Sequence, residues 1–146
     1  MAGLVTDVVI DASAALSLVL SSQSTSASER FLKTHGDDRL VAPAIFTWEV
    51  TNVLVRMHRR GLSQSEFNSA LQEIDQLEIA FAPASNPDEI AELARLAVKM
   101  GLRLFDAAYL DLAMARGCAL ASRDAQLLHV ASQHVPCLDL QESAPN

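Results

Sequence analysis

The 146 residues suffice for one domain, 1–146, with enough chain to bury a core and too little to build two. Half are apolar, a fifth are charged and only 5% are aromatic, which excludes a disordered chain and requires a core of Ala, Leu, Val and Ile. A net charge of −7 weighs against a nucleic-acid partner, since phosphate binding is driven by basic surface.

Met1 to Asp7 has no basic patch ahead of its apolar run, so it does not resemble a signal peptide. Val8-Val9-Ile10 reads as a buried strand and Ala12 to about Leu20 as a helix. That apolar stretch is interrupted by Asp11 and falls short of the ~20 residues a membrane span needs. Ser21 to Ser28 is a serine-rich connection that ends in a helix cap before Glu29 to Lys33. Gly36-Asp37-Asp38 turns into a second strand near Leu40-Val41-Ala42, stopped by Pro43. A helix over Ile45–Arg60 follows, with Gly61 at its C′ position. Ser63 and Glu66 form a capping box for the next helix, with Phe67, Ala70, Leu71, Ile74 and Leu77 on its apolar face. A third strand is predicted near Ile79-Ala80-Phe81. Asn86-Pro87-Asp88-Glu89 opens a helix that runs to Gly101. A further helix spans about Phe105 to Arg116 and ends at Gly117. Cys118 to Ala121 is the fourth strand, a helix begins near Ser122–Asp124, and Cys137 to Leu140 is a fifth, edge strand. Residues 141–146 read as a frayed tail. The alternation of short β-rich runs with amphipathic helices predicts an α/β fold with a mainly parallel sheet. With no secretory signal, Cys118 and Cys137 are expected to be free thiols of a cytoplasmic protein.

Four acids stand out. Asp11 ends the first strand and Asp124 lies just past the fourth, which puts both at the carboxyl edge where open parallel sheets build their sites. Either Asp also fits as a simple helix N-cap. Glu49 is surrounded in sequence by apolar residues, and a buried carboxylate needs a partner or a metal. Asp106 is in similar company. Arg103 could pair with it, and periodicity alone does not bring it to the same edge. Carboxylates gathered in one pocket repel and raise one another's pKa, an effect a hard cation removes. An all-oxygen set without His or Cys suits Mg²⁺ or Mn²⁺. His35, His58, His129 and His134 lack zinc-site spacing and read as surface residues. With the four acids set aside, 14 of the 18 acidic residues face 11 basic ones, and Arg56 and Arg60 continue one helical stripe from Glu49. That stripe, Arg56 and Arg60, is a candidate contact for a phosphate backbone, although cations also favour a helix C-terminus. Ser13 and Ser122 are candidates to hydrogen-bond the acids or a phosphate, or else to cap helices.

Val9-Ile10-Asp11-Ala12-Ser13-Ala14, Trp48-Glu49-Val50-Thr51-Asn52, Phe105-Asp106-Ala107-Ala108-Tyr109 and Ser122-Arg123-Asp124-Ala125-Gln126 resemble, in order, the four acidic motifs of PIN domains. The resemblance runs from about residue 8 to 140, and the compact length is most similar to VapC-type toxins of toxin–antitoxin pairs. It implies a three-layer α/β/α sandwich and a Mg²⁺- or Mn²⁺-dependent endoribonuclease that cuts single-stranded or structured RNA. It implies Asp11, Glu49, Asp106 and Asp124 as catalytic metal ligands, with Asp111 as a candidate supplementary acid on another helical face. It also implies a homodimer, and a small antitoxin whose tail covers the acidic pocket. The alternative is a non-catalytic PIN-like interaction module. A phosphatase of the haloacid-dehalogenase type would need an acid where Ser13 stands, and a nucleotide-cofactor enzyme would need a Gly-rich loop after the first strand.

Overall fold

In the computed structural model, residues 6–141 are described, and the expected frayed tail lies outside them from residue 142 onward. Five strands form one sheet in the order β3-β2-β1-β4-β5, and every neighbouring pair is parallel. They are β1 (Asp7–Ile10), β2 (Arg39–Ala42), β3 (Ala80–Phe81), β4 (Ala119–Ser122) and β5 (Cys137–Asp139). Seven helices connect them: α1 (Ala12–Val19), α2 (Ser26–His35), α3 (Phe46–Arg59), α4 (Gln64–Gln76), α5 (Pro87–Met100), α6 (Leu104–Arg116) and α7 (Ala125–Ala131). The α/β class and the sheet expected from the sequence are both present.

The strand sequences explain why the sheet is central. Val8, Val9, Ile10, Val41, Ala42, Leu120 and Ala121 are each at most 1% exposed, as strands covered on both faces must be. Helix α1 packs with α3 and α4, whereas α6 packs against β1 and β4 and carries α5. From β1 the chain adds β2 and then β3 outward, then returns to build β4 and β5 on the other side. The order therefore reverses between β1 and β4, and the crevice above that pair is where an open α/β sheet binds ligands.

Local chemistry sets the ends of the helices. Asn86 and Glu89 cap α5 reciprocally, with Pro87 in the first turn. Gly117 closes α6 at φ 59°, a left-handed conformation that costs a residue with a Cβ about 1 kcal/mol or more, and sends the chain back into β4. The box expected at α4 is half made: the Ser63 hydroxyl accepts from the Glu66 N–H, and no return bond from Glu66 accompanies it. A full box occurs instead at α2, between Thr25 and Ser28, in the stretch read only as a serine-rich connection ending in a cap. Thr25 Oγ1 also donates to the Leu140 carbonyl at 2.8 Å, fastening α2 to the residue after β5. Cys118 and Cys137 are free thiols. Among the described residues, no helix is long and apolar enough to cross a membrane.

Candidate active site

Asp11 leaves β1 in an extended conformation and caps α1: its Oδ1 accepts from the Ala14 N–H at 2.8 Å and from Ser13 Oγ at 2.7 Å. Its Oδ2 accepts from Ser122 Oγ at 2.6 Å, across the β1–β4 junction. Ser122 is fully buried and its oxygen accepts the Asp124 N–H at 2.9 Å, while Ser13 Oγ accepts the Arg123 N–H at 2.9 Å. Each serine therefore donates to Asp11 and crosses the junction once, Ser122 by donating to Asp11 and Ser13 by accepting from Arg123, which stitches the ends of β1 and β4 together. Neither serine caps a helix. Asp124 does cap one: its Oδ1 accepts from the Leu127 N–H at 2.9 Å at the start of α7. Asp11 and Asp124 thus both cap helices with one oxygen, while the other oxygen of each is turned toward a neighbouring side chain, Ser122 and Arg103 respectively.

Glu49 and Asp106 arrive from other directions. Glu49 lies in the first turn of α3 and accepts from Tyr109 Oη at 2.8 Å. Tyr109, on α6, is the chain's one tyrosine and is fully buried, so its hydroxyl holds the half-buried carboxylate from beneath. Asp106, in the first turn of α6, is 7% exposed and takes Arg103 Nε at 3.0 Å. The other end of that guanidinium reaches Asp124 Oδ2 at 3.6 Å, so Arg103 ties two acids from separate elements.

These environments favour the neutral carboxyl. Asp11 is pushed up to about 6, first by burial and further by the charge of Glu49, despite the three hydrogen bonds that favour its ionised form. Glu49 is raised by burial and by Asp106, against the opposing effect of the Tyr109 hydroxyl. Asp106 is raised by burial and by Asp124, with Arg103 pulling the other way. Tyr109 is held neutral far above the ordinary phenol range, by burial first and then by the charge of Glu49.

A single cavity of about 720 Å³ is lined by Asp11, Glu49, Asp106 and Asp124. Ser13, Arg56, Arg103, Arg123, Asn52, Trp48 and Phe105 also face it. The helix bearing Asp106 does bring it to the carboxyl edge, which periodicity left open. Arg56 reaches the cavity, whereas Arg60, exposed at the far end of α3, is not among its lining residues. Asp111 lines a different cavity of about 450 Å³, between α5 and α6, in apolar company. Sequence reasoning missed the Tyr109 anchor, the double contact of Arg103, and Arg123. A tyrosine three residues after Asp106, one helical turn on, was the available signal for the first.

The donors fit a hard divalent cation. All four acids present oxygen only, three are raised first by burial and then by a neighbouring carboxylate, and Arg103 already stands as a cation between Asp106 and Asp124. Among the described residues no three His, Cys, Asp or Glu side chains close into a metal cage.

An all-parallel sheet reversing at β1–β4, with carboxylates collected above the reversal, defines a class of α/β domain that gathers acids from strand and helix ends on one cavity. Within that class, the chain belongs to the PIN-domain family, whose model matches residues 8–133. It is similar to Ribonuclease VapC3 of Pyrobaculum aerophilum, with 31% identity over 120 residues, covering 82% of this chain and 90% of that protein. Among solved structures it resembles PAE2754 from Pyrobaculum aerophilum, with a TM-score of 0.68, 21% identity and 92% of each chain covered. FitAcB from Neisseria gonorrhoeae superposes with a TM-score of 0.62 at 16% identity, over 90% of this chain and 96% of that one. At these identities the two structures speak to the fold alone.

Proposed function

We propose that the chain is a divalent-metal-dependent endoribonuclease of the VapC type, the toxin of a toxin–antitoxin pair. The observation that carries this reading is the collection of four carboxylates from four segments on one cavity, three of them raised above their usual range by burial and by one another. Such a set is costly in a scaffold and useful around a cation. Membership of the PIN family and similarity to a ribonuclease support the same substrate class.

A bound Mg²⁺ or Mn²⁺ would supply charge for the leaving oxygen and acidity for the attacking water. Asp11, Glu49, Asp106 and Asp124 would hold it, with Ser13 and Ser122 fixing the Asp11 carboxylate through hydroxyl donors on both oxygens. Tyr109 keeps Glu49 turned to the cavity. Arg56 and Arg60 would bind the RNA backbone, Arg56 at the cavity and Arg60 farther along α3. The reading extends to a homodimer in the cytoplasm, silenced by a small antitoxin covering the cavity.

The test is cleavage of a panel of cellular RNAs by the purified protein with Mg²⁺ or Mn²⁺, with EDTA, and with Asp124→Asn. Metal-dependent cutting lost in the variant is the expected result. Absence of both cutting and Mn²⁺ binding would instead favour a non-catalytic PIN-like interaction module.

A further inference from the structure

We infer that Trp48, with Phe105 from another helix on the same cavity, grips RNA by stacking on nucleobases beside the cleaved linkage. This rests on the ribonuclease reading above and assigns the side chains that hold the bases at that cavity.

The chain has five Phe, one Trp and one Tyr, and it buries Phe31, Phe46 and Tyr109 to 5% exposure or less. Trp48, its largest side chain, is left 84% exposed, and Phe105 48%. A free indole forgoes about 2 kcal/mol of burial, so its place at the surface calls for a ligand. Both rings line the acid cavity, on different helices. Each directly precedes an acid in the first turn of its helix: Trp48 before Glu49 on α3, and Phe105 before Asp106 on α6. A helix rotates about 100° per residue, so turning the acid inward leaves the preceding ring at the rim. Ring and carboxylate are therefore coupled by geometry on both walls.

What surrounds the rings identifies the occupant. Around Trp48 the cavity presents Arg56, Arg103 and Arg123 beside the four acids, which is a polar, charged setting. Arg103 is tied to Asp106 and Asp124 and Arg123 to Gln23, so Arg56 is the arginine offered to a phosphate, and an aromatic face beside it suits a base, the combination by which proteins hold single strands. A duplex hides its base faces in the stack and offers these rings nothing. The more apolar cavity next to this one, with Ile90, Leu93 and Leu112, is where an apolar partner would find complementary surface, and Phe105 stands on the ridge between the two.

Trp48 is the sole tryptophan, so its emission reports stacking directly. In an Asp11→Asn background with Mg²⁺, which keeps the strand intact, three end-labelled RNAs are titrated, with affinity read in every variant from the anisotropy of the label: single-stranded octaadenylate, the same strand with abasic central positions, and a blunt G·C-rich duplex. Octaadenylate should quench the emission and bind most tightly. Trp48→Ala should weaken that binding about 5- to 100-fold, the range for one stacked base, with a smaller loss for Phe105→Ala. Trp48→Phe should keep most of the affinity. Binding of the abasic strand should be indifferent to Trp48→Ala, which separates stacking from charge and from misfolding. Octaadenylate binding unchanged in Trp48→Ala would overturn the inference and leave the indole to a protein partner. Equal losses on intact and abasic strands would overturn it too. If no RNA binds in any variant or in the parent, the ribonuclease reading falls with it.

Discussion

Replacing Asp11 by Asn should make the metal-free protein more stable while removing its chemistry. Asp11 is 5% exposed and its carboxyl is raised from an ordinary 3.8 to about 6, so the folded state holds its proton more tightly than the unfolded chain does. The sign follows from linkage. Stability contributed by the neutral carboxyl is fully present below about pH 4 and is lost as the pH rises through about 6. A shift of about 2 units corresponds to about 3 kcal/mol of destabilisation at pH 7.5. Asn escapes that cost, but it has a single acceptor oxygen, so it keeps the Ala14 N–H and Ser13 bonds only weakened and turns an NH₂ donor to Ser122, which must reorient its hydroxyl. The net gain is therefore expected at about 1–2 kcal/mol, or roughly 3–8 °C in Tm for a domain of this size. Thermal unfolding in EDTA at pH 7.5 and at pH 4 measures it. The gain should appear at the higher pH and largely disappear at the lower, where the folded-state carboxyl of Asp11 is neutral and carries little of the burial cost. Millimolar Mg²⁺ should reverse the order, because it stabilises only a protein able to bind it. A lower Tm for Asp11→Asn at pH 7.5 in EDTA would refute the argument that burial dominates the electrostatics of this site.

Tyr109→Phe removes the donor that favours ionised Glu49, so it should cost about 1 kcal/mol and weaken Mn²⁺ binding more at pH 6 than at pH 8, by calorimetry; a pH-independent effect would assign the hydroxyl to packing alone. Arg103→Gln frees Asp106 and Asp124 of an internal cation, and because that side chain is largely exposed, Mn²⁺ affinity at pH 7.5 should rise only about two- to five-fold. Weaker Mn²⁺ binding in this variant would show that Arg103 organises the acids and does not compete for them. Arg56→Ala should lower RNA affinity and reduce the slope of log K against log salt by about 1, while Arg60→Ala, farther from the cavity, should change the slope less.

The frame of the molecule could be read from the chain because its signals are local. A run such as Val8-Val9-Ile10 with helices on either side has few options but a strand covered on both faces, and Asn86-Pro87-Asp88-Glu89 carries its own cap. Strand ends fixed Asp11 and Asp124 to one edge by topology alone. Asp106 was different: a helix start can face any of several directions, and only the packing of α6 on β1 and β4 turns it toward Asp11. The contacts that escaped notice all depend on distance in sequence. Tyr109 and Glu49 are 60 residues apart. Arg103 was visible as a partner for Asp106, its neighbour on the helix, but not for Asp124, which lies across the fold.

The charge that weighed against nucleic acid at the outset has a different meaning once it is located. Four carboxylates and three arginines line the cavity, leaving one net negative charge there if all are ionised. One divalent cation makes that balance positive by one, in a site where burial weakens screening. Metal binding would thus convert the cavity from repelling a phosphate to attracting it. The overall −7 does not oppose this, because exposed charges more than a Debye length of about 8 Å away are largely screened at physiological salt. A chain with this sequence therefore needs no basic surface to engage RNA at one point, only a cation held by the acids and a rim that grips bases.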